Sequence, residues 1–219
     1  MHKRLLALLA LISWVGCSGD EISGLMLIGF HGLKAEEEGC TYVENPTSSS
    51  TYDVAIAGEY GVPLNVFVHL RNELVGMANP EVGRVETHRI TVRSLRVAFE
   101  GEGWLGLPDP IEIPVTGVVI EPNGSYWTHV TPLRAREAKI LNRQFSNAEG
   151  EVKELRLRLR FFGETMNGTR VESNELSHTV HVCRDCLGCP PGQVMTAACA
   201  MAYAQPDGIA CVEVENQGG

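Results

Sequence analysis

The sequence predicts an all-β fold, mainly an antiparallel β-sandwich of immunoglobulin-like kind, with one short crossover helix and a disulfide-rich tail. Apolar and polar residues alternate through most of the chain, turn residues separate the alternating runs, and five of the seven cysteines lie within residues 183–219. The 23 glycines, 11 prolines and 6% aromatic residues also favour many short elements over a few long helices. The Cys-Trp-Cys core pattern of true immunoglobulin domains is absent.

Three runs in the first half of the chain predict strands. The apolar run Leu25–Phe30 is too short to cross a membrane and predicts a buried strand. Leu64–Arg71 alternates with period two, which is typical of a half-buried strand. His88–Phe99 begins on one phase and continues on the other, which predicts a β-bulge near Arg93 or Ser94.

The middle of the chain predicts a hairpin followed by the crossover helix. A strand that starts at Ile111 runs to Ile120, and the turn residues 122–124 return the chain as a hairpin partner over Tyr126–Val130. The helix is predicted over Leu133–Phe145, with Thr131 as N-cap and Pro132 at the first helical position.

Two more strand predictions complete the sandwich. Leu155–Phe161 alternates apolar residues with arginines, and Asn167-Gly168 then predicts a tight hairpin turn into Thr169–Ser173. Leu176–Val182 closes the series. These runs give about eight short strands, mostly connected by hairpins.

The N-terminus has the pattern of an export signal. The basic head Lys3-Arg4 precedes an apolar run from Leu5 to Val15, and small residues follow. The predicted organisation is a signal peptide over residues 1–16, a lipid-anchored β-sandwich domain over 17–182 and a cysteine-rich tail over 183–219.

Val15-Gly16-Cys17 resembles the lipobox of bacterial lipoproteins, although Trp14 stands where that pattern prefers an aliphatic residue. The resemblance implies cleavage before Cys17 and lipidation of its thiol, and Ser18 resembles the residue of lipoproteins sent to the outer membrane. We therefore expect an exported, lipid-anchored protein of the outer membrane, facing the periplasm or the surface. The alternative is ordinary signal cleavage that releases a soluble protein.

The charge argues against a nucleic-acid partner. The chain has 18 basic and 27 acidic residues, and removal of Lys3 and Arg4 leaves 16 against 27, a net charge of −11. A nucleic-acid binder neutralises phosphates with clustered lysine and arginine, which this composition lacks. Electrostatic adsorption to anionic lipid is disfavoured for the same reason.

Six cysteines remain once Cys17 is lipidated or removed, and an even number in an exported chain predicts disulfides. The six are Cys40, Cys183, Cys186, Cys189, Cys199 and Cys211. Because the tail holds five of them, one must pair outside the tail, with Cys40. Cys183 and Cys186 are the best candidates, since they directly follow the last strand, whereas Cys199 and Cys211 can close shorter loops.

Two other chemistries remain open for this cluster. A tetrahedral zinc site could draw on His178, His181, Cys183, Cys186 and Cys189, but strand alternation places the two histidines on opposite faces. A redox-active Cys183-Arg-Asp-Cys186 is also conceivable, although such a site needs its first cysteine at a helix N-terminus. Disulfides are the favoured assignment, and we expect no metal and no cofactor.

Two groups of residues are candidates for ligand binding. The stripe of Arg156, Arg158 and Arg160 could bind carboxylates or phosphates of an envelope polymer, or else form a solvated face paired with acids. Trp104 and Trp127 could stack on sugar rings, or else anchor the core and its loops.

Four segments resemble uncharacterised exported lipoproteins of the Gram-negative envelope: residues 70–74, 84–97, 171–175 and 182–187. The resemblance covers most of the chain after Cys17, and the family has no activity to carry over. Common catalytic and nucleotide-binding motifs are absent, and triads built from His69, His88 or His129 have almost no specificity. We therefore expect a structural or interaction module with an unknown protein or envelope-polysaccharide partner, then a carbohydrate or envelope-polymer binder, and only third an enzyme.

Overall fold

The computed structural model describes residues 24–36, 39–76, 78, 81, 83–108, 110–145, 151–191, 193–197 and 209–213. The first strands are β1 (Leu25–His31), β2 (Leu33–Glu36), β3 (Gly39–Tyr42), β4 (Ser49–Asp53), β5 (Leu64–Asn72), β6 (Ile90–Glu100) and β7 (Ile111–Pro114). The remaining strands are β8 (Val119–Ile120), β9 (Ser125–Leu133), β10 (Val152–Thr165), β11 (Arg170–Glu172), β12 (Leu176–Cys183), β13 (Gln193–Ala197) and β14 (Ile209–Glu213). The helices are α1 (Val54–Tyr60) and α2 (Ala135–Asn142).

The fold is an all-β sandwich, as the alternation predicts. A three-stranded sheet has the order β1-β5-β9, and a larger sheet follows the path β4-β12-β10-β6-β7, with β11 and β8 at its side. Inward-facing residues of both sheets, such as Val68 and Leu157, are fully buried in one continuous core. The pairing of β4 with β12 is parallel, while the other strand pairs among the described residues are antiparallel.

The change of phase in β6 is a β-bulge, as predicted. Ile90 and Val92 are buried on one phase, and Leu95 and Val97 are buried on the next. The register against β10 shifts at the same place, so Arg93 is the extra residue. The hairpin through Asn167-Gly168 also forms between β10 and β11.

The hairpin predicted across residues 122–124 is wrong. The turn exists, with Asn123 at φ 55°, but β8 before it pairs with β6 and β9 after it pairs with β5. The turn therefore carries the chain from one sheet to the other. Asn72 holds this crossing, since its side-chain amide donates to the Ile120 carbonyl at 3.1 Å and its backbone N–H donates to the Gly124 carbonyl at 2.9 Å.

The helix boundaries also differ from the prediction. Thr131 and Pro132 belong to β9, and Arg134 is the residue before the helix, where the Glu137 carboxylate accepts the Arg134 backbone N–H at 3.1 Å. Helix α1, which has seven residues and is capped by Asp53, was not among the predicted elements.

The sandwich has two different ends. Leu25, Asn72 and Ser125 meet at one, which we call the entry end because the N-terminal segment joins the sheet there. The two helices pack together at the opposite, helical end, and α2 follows directly from Leu133. The nine residues of β5 span about 30 Å between these ends, at about 3.3 Å per residue.

Two disulfides join tail cysteines, Cys183 to Cys186 and Cys189 to Cys211. The proposal that Cys183 or Cys186 pairs with Cys40 is therefore wrong, because these two neighbours pair with each other. Cys199 and the side chain of Cys40 lie outside the described part of the chain. With the other four tail cysteines paired, the cysteine count leaves Cys199 as the tail partner for Cys40, a pair that the sequence did not favour.

Candidate functional site

Trp104 is half-buried and anchors a loop. Its indole N–H donates to the Glu154 carbonyl at 2.8 Å, and its ring lies 5.9 Å from that of Phe145. The Lys153 ammonium is 5.8 Å from the indole centroid. These contacts are those of a residue that fastens the loop after β6 to β10.

Trp127 belongs to a ring cluster on the outer face of the three-stranded sheet. It is nearly parallel to Tyr42 at 4.3 Å and to His69 at 4.1 Å, and His31 meets it at 4.5 Å with a steep angle of 71°. Because three rings of the protein pack against this indole, its surface is not open for stacking on a sugar ring.

The arginine stripe is largely neutralised by acids from neighbouring segments. Arg158 forms ion pairs with Glu100 at 2.8 Å and with Glu175 at 3.2 Å, and Arg160 pairs with Glu172 at 3.1 Å. Arg156 lines a cavity of about 460 Å³ whose wall also includes three glutamates: Glu100, Glu102 and Glu154. An anionic polymer would meet these carboxylates before it met the arginines.

The five residues of the zinc hypothesis do not converge. His178 is buried, and its Nε2 lies 2.9 Å from the Ser50 hydroxyl, while His181 is half-buried on the opposite face. Cys183, Cys186 and Cys189 are all in disulfides. Among the described residues, one group of three ligand-type side chains clusters, and it consists of Asp53, Cys183 and Cys186.

Asp53 holds the loop of the Cys183–Cys186 disulfide. Its carboxylate is fully buried, and Oδ1 accepts the backbone N–H of Ala55 and Ile56, the start of α1, at 2.9 and 3.4 Å. Three N–H groups of the disulfide loop, those of Asp185, Cys186 and Leu187, donate to the same carboxylate at 3.2, 2.8 and 3.0 Å. One side chain therefore joins β4, α1 and the start of the tail. Cys183 ends a strand, so it lacks the helix N-terminus of a thioredoxin-like redox site.

The three histidines weighed for a catalytic triad lie in separate places. His69 belongs to the ring cluster of Trp127, the Nδ1 of His88 is 2.7 Å from the Val75 carbonyl, and His129 contacts the ring of Phe67. Burial lowers the pKa of the His69 imidazole, and the nearby His31 and Arg71 lower it further. Within the described ranges, no serine or aspartate side chain hydrogen-bonds to these three rings.

Helix α2 carries a basic face that the sequence analysis did not single out. Arg136, Lys139 and Arg143 are exposed and border a groove of about 570 Å³, whose other lining residues are Ala135 and Ile140. In the part of the chain that the structure describes, no acid forms an ion pair with these three cations. The spacing i, i+3, i+7 was a visible signal, because the helix predicted over Leu133–Phe145 already contains all three residues.

Cys17 lies outside the described residues, so lipidation remains a prediction. None of the helices in the described ranges has the length and apolar character that a membrane span requires. No protein-family model and no curated protein matches this chain.

Proposed function

We propose that this protein is a lipid-anchored interaction module of the cell envelope that docks an acidic protein segment on the basic face of α2. The observation that carries the proposal is a cluster of three cations that form no ion pair with any described acid, in a chain whose net charge is −9. The arginine stripe, by contrast, has acids beside it.

The groove has the chemistry of a small protein-recognition surface. Arg136 and Arg143 can each bind a carboxylate through two parallel N–H bonds, and Lys139 adds a third positive charge. Ala135 and half-buried Ile140 supply apolar surface between the cations. A segment with acidic side chains around an apolar one complements this arrangement.

A glycan is the second candidate, and the ring contacts make it less favourable. Trp104 and Trp127 are both engaged in contacts within the protein. Recognition of sugars would therefore lack an aromatic platform among these two residues. A carboxylated polysaccharide remains a useful comparison for the experiment.

The position of α2 suits a tethered module. Eight peptide steps separate Cys17 from Leu25, so a lipid on Cys17 holds the entry end within about 28 Å of the membrane, at most about 3.5 Å per residue. The basic face lies at the helical end, on the far side of the sandwich. It is therefore presented away from the bilayer when the module stands upright.

Lipidation is tested at Cys17. Radiolabelled palmitate should enter the wild-type protein, because the thiol receives diacylglycerol, while the Cys17→Ala variant should be unlabelled and either unprocessed or soluble. Labelling is measured by autoradiography of the immunoprecipitated protein. Equal labelling of the two proteins would exclude the anchor.

Docking is tested by reversing the charge of the groove. The triple variant Arg136→Glu, Lys139→Glu, Arg143→Glu should weaken binding of a fluorescent peptide of glutamates around one leucine by about tenfold or more. Three exposed charge pairs at about 0.5 kcal/mol each already give that factor, and the introduced glutamates add repulsion. Fluorescence anisotropy measures the affinity, which should fall with added salt.

The matched control makes the same change in charge elsewhere. Arg84, Arg93 and Arg170 are exposed and lie outside α2, so their replacement by glutamate should leave most of the peptide affinity intact. An equal loss of peptide affinity in both triple variants would show that the effect comes from net charge alone, and it would refute the site. If the protein binds alginate, a carboxylated polysaccharide, more tightly than the peptide, the partner is a glycan and the proposal of a protein partner is wrong.

A further inference from the structure

A second site lies in the ring cluster, apart from the docking face. On the outer face of the three-stranded sheet, Gly29 in β1 is paired with His69 in β5, and His69 is paired with Trp127 in β9. The segment after β3 runs along β1, where Val43 and Thr47 donate backbone N–H bonds to Gly32 and Phe30. This segment covers His31, which keeps only 3% of its surface exposed.

One ring nitrogen of His31 forms a hydrogen bond, and the other has no hydrogen-bond partner among the described residues. Its Nδ1 lies 2.8 Å from the Val43 carbonyl oxygen, which can only accept, so Nδ1 carries the hydrogen and Nε2 presents a lone pair. Nε2 is buried and has no hydrogen-bond partner in the described structure. A ring N–H held by a backbone carbonyl is the arrangement that orients metal-binding histidines.

His69, on the neighbouring strand, shares only the second part of this arrangement, an unpartnered Nε2. Its Nε2 is also buried without a hydrogen-bond partner among the described residues. The two ring centroids are 6.4 Å apart. Two imidazoles that share one ion through metal–nitrogen bonds of about 2 Å have centroids about 6 Å apart, so the separation of these two rings is compatible with a shared ion.

We propose that His31 and His69 together bind one Cu⁺ ion through their Nε2 atoms. A buried, unpaired lone pair costs free energy, and a bound cation satisfies both at once. Trp127 contacts both imidazoles, and its π system attracts a cation. This inference does not depend on the docking face of α2.

The coordination number selects the ion. Zn²⁺ in proteins takes four ligands, whereas this cluster offers two nitrogens, and no thiolate or carboxylate completes a group of three around them in the described ranges. Neither Nε2 exposes surface to bulk solvent, which favours an ion that needs few ligands. Cu⁺ and its analogue Ag⁺ are stable with two nitrogen donors in a line, and imidazole is a suitable donor for copper.

The experiment is an Ag⁺ titration of the processed protein in detergent, with disulfides intact and any thiols alkylated. Tryptophan fluorescence should change to saturation at one Ag⁺ per chain, because Trp127 adjoins both ligands. Anaerobic competition with a chromogenic Cu⁺ chelator then gives the Cu⁺ affinity. The variant His69→Phe keeps a ring against Trp127 but removes the nitrogen, and it should weaken Cu⁺ binding by more than about 100-fold, the upper cost of losing an outer-shell partner alone.

His129→Phe is the matched control, since this exposed histidine lies on the same sheet face and contacts Phe67. It should retain wild-type stoichiometry and affinity. Circular dichroism checks that all variants are folded, and His31→Gln provides a second loss of one ligand. Undiminished binding in both ligand variants would refute the site, and tighter binding of Zn²⁺ than of Ag⁺ would overturn the two-coordinate assignment.

Discussion

Replacing Asp53 with alanine should lower the free energy of unfolding by about 3–5 kcal/mol. This is the largest effect that we expect from the substitution of one buried polar residue. The carboxylate is fully buried and accepts five backbone N–H groups. Alanine leaves those donors without an acceptor and removes the N-cap of α1 in the same step. Urea unfolding followed by circular dichroism measures the loss.

The variant Asp53→Asn separates the two roles of this side chain. One oxygen remains, and asparagine is a good N-cap, so α1 can keep its bonds to Ala55 and Ile56. The new amide group then faces the N–H groups of Cys186 and Leu187, which it cannot accept. Hydrogen exchange at these two amides should therefore accelerate at least tenfold.

Asp185→Asn is the control for that experiment. Asp185 is an exposed acid of the same loop with φ 54°, a conformation that asparagine tolerates well. Its replacement should change the free energy of unfolding by less than about 0.5 kcal/mol. If both asparagine variants accelerate exchange equally, Asp53 is not what holds the loop.

Acid should destabilise the fold through His178. Burial is the main reason that the pKa of this imidazole falls from an ordinary value of 6.5 to about 4. A hydrogen bond with the Thr47 backbone opposes this shift, and the nearby His181 adds to it. The unfolded chain thus takes up the proton at a higher pH than the folded chain does. Stability is complete above about pH 6.5 and falls as the pH drops toward 4, by about 3 kcal/mol in total and by about 2 kcal/mol above pH 5.

The variant His178→Gln should lose this contribution. Unfolding free energies at pH 7 and pH 5 should differ by about 2 kcal/mol less in the variant than in the wild type. His181→Gln, on the opposite face of the same strand, should keep most of the wild-type slope. A wild type whose stability is equal at the two pH values would contradict the assignment.

Local patterns in the sequence predicted the longer strands of the sandwich, because burial on one face imposes period two on them. The short strands β2, β3, β4, β13 and β14 were not predicted. The phase change within β6 even placed the bulge near Arg93 or Ser94, since an extra residue shifts every later side chain to the other face. The turn at residues 122–124 was also visible. The sequence did not show that this turn connects two sheets, because turns within a sheet and turns between sheets use the same residue types. The hydrogen bonds of Asn72 to Ile120 and Gly124 distinguish the two cases.

The two helices show the limits of local signals at their ends. Thr131 and Pro132 are good starting residues for a helix, yet pairing with β5 keeps this segment extended through Leu133. Helix α1 is short, and its signal was Asp53 as a possible N-cap. An N-cap residue alone does not predict so short a helix. The helix start at Asp53 is fixed together with the three backbone N–H groups of the tail that donate to the same carboxylate.

The sequence alone determined the sandwich class, the export and lipidation hypotheses, and the cysteine count, because alternation, signal composition and parity are properties of neighbouring residues or of totals. Tertiary structure alone decided which cysteines pair, which acids neutralise the arginine stripe, and that His31, His69 and Trp127 share one face. These are contacts between residues that are distant in the chain. Their partners are selected by strand register and by the need to satisfy buried polar groups, neither of which a local pattern contains.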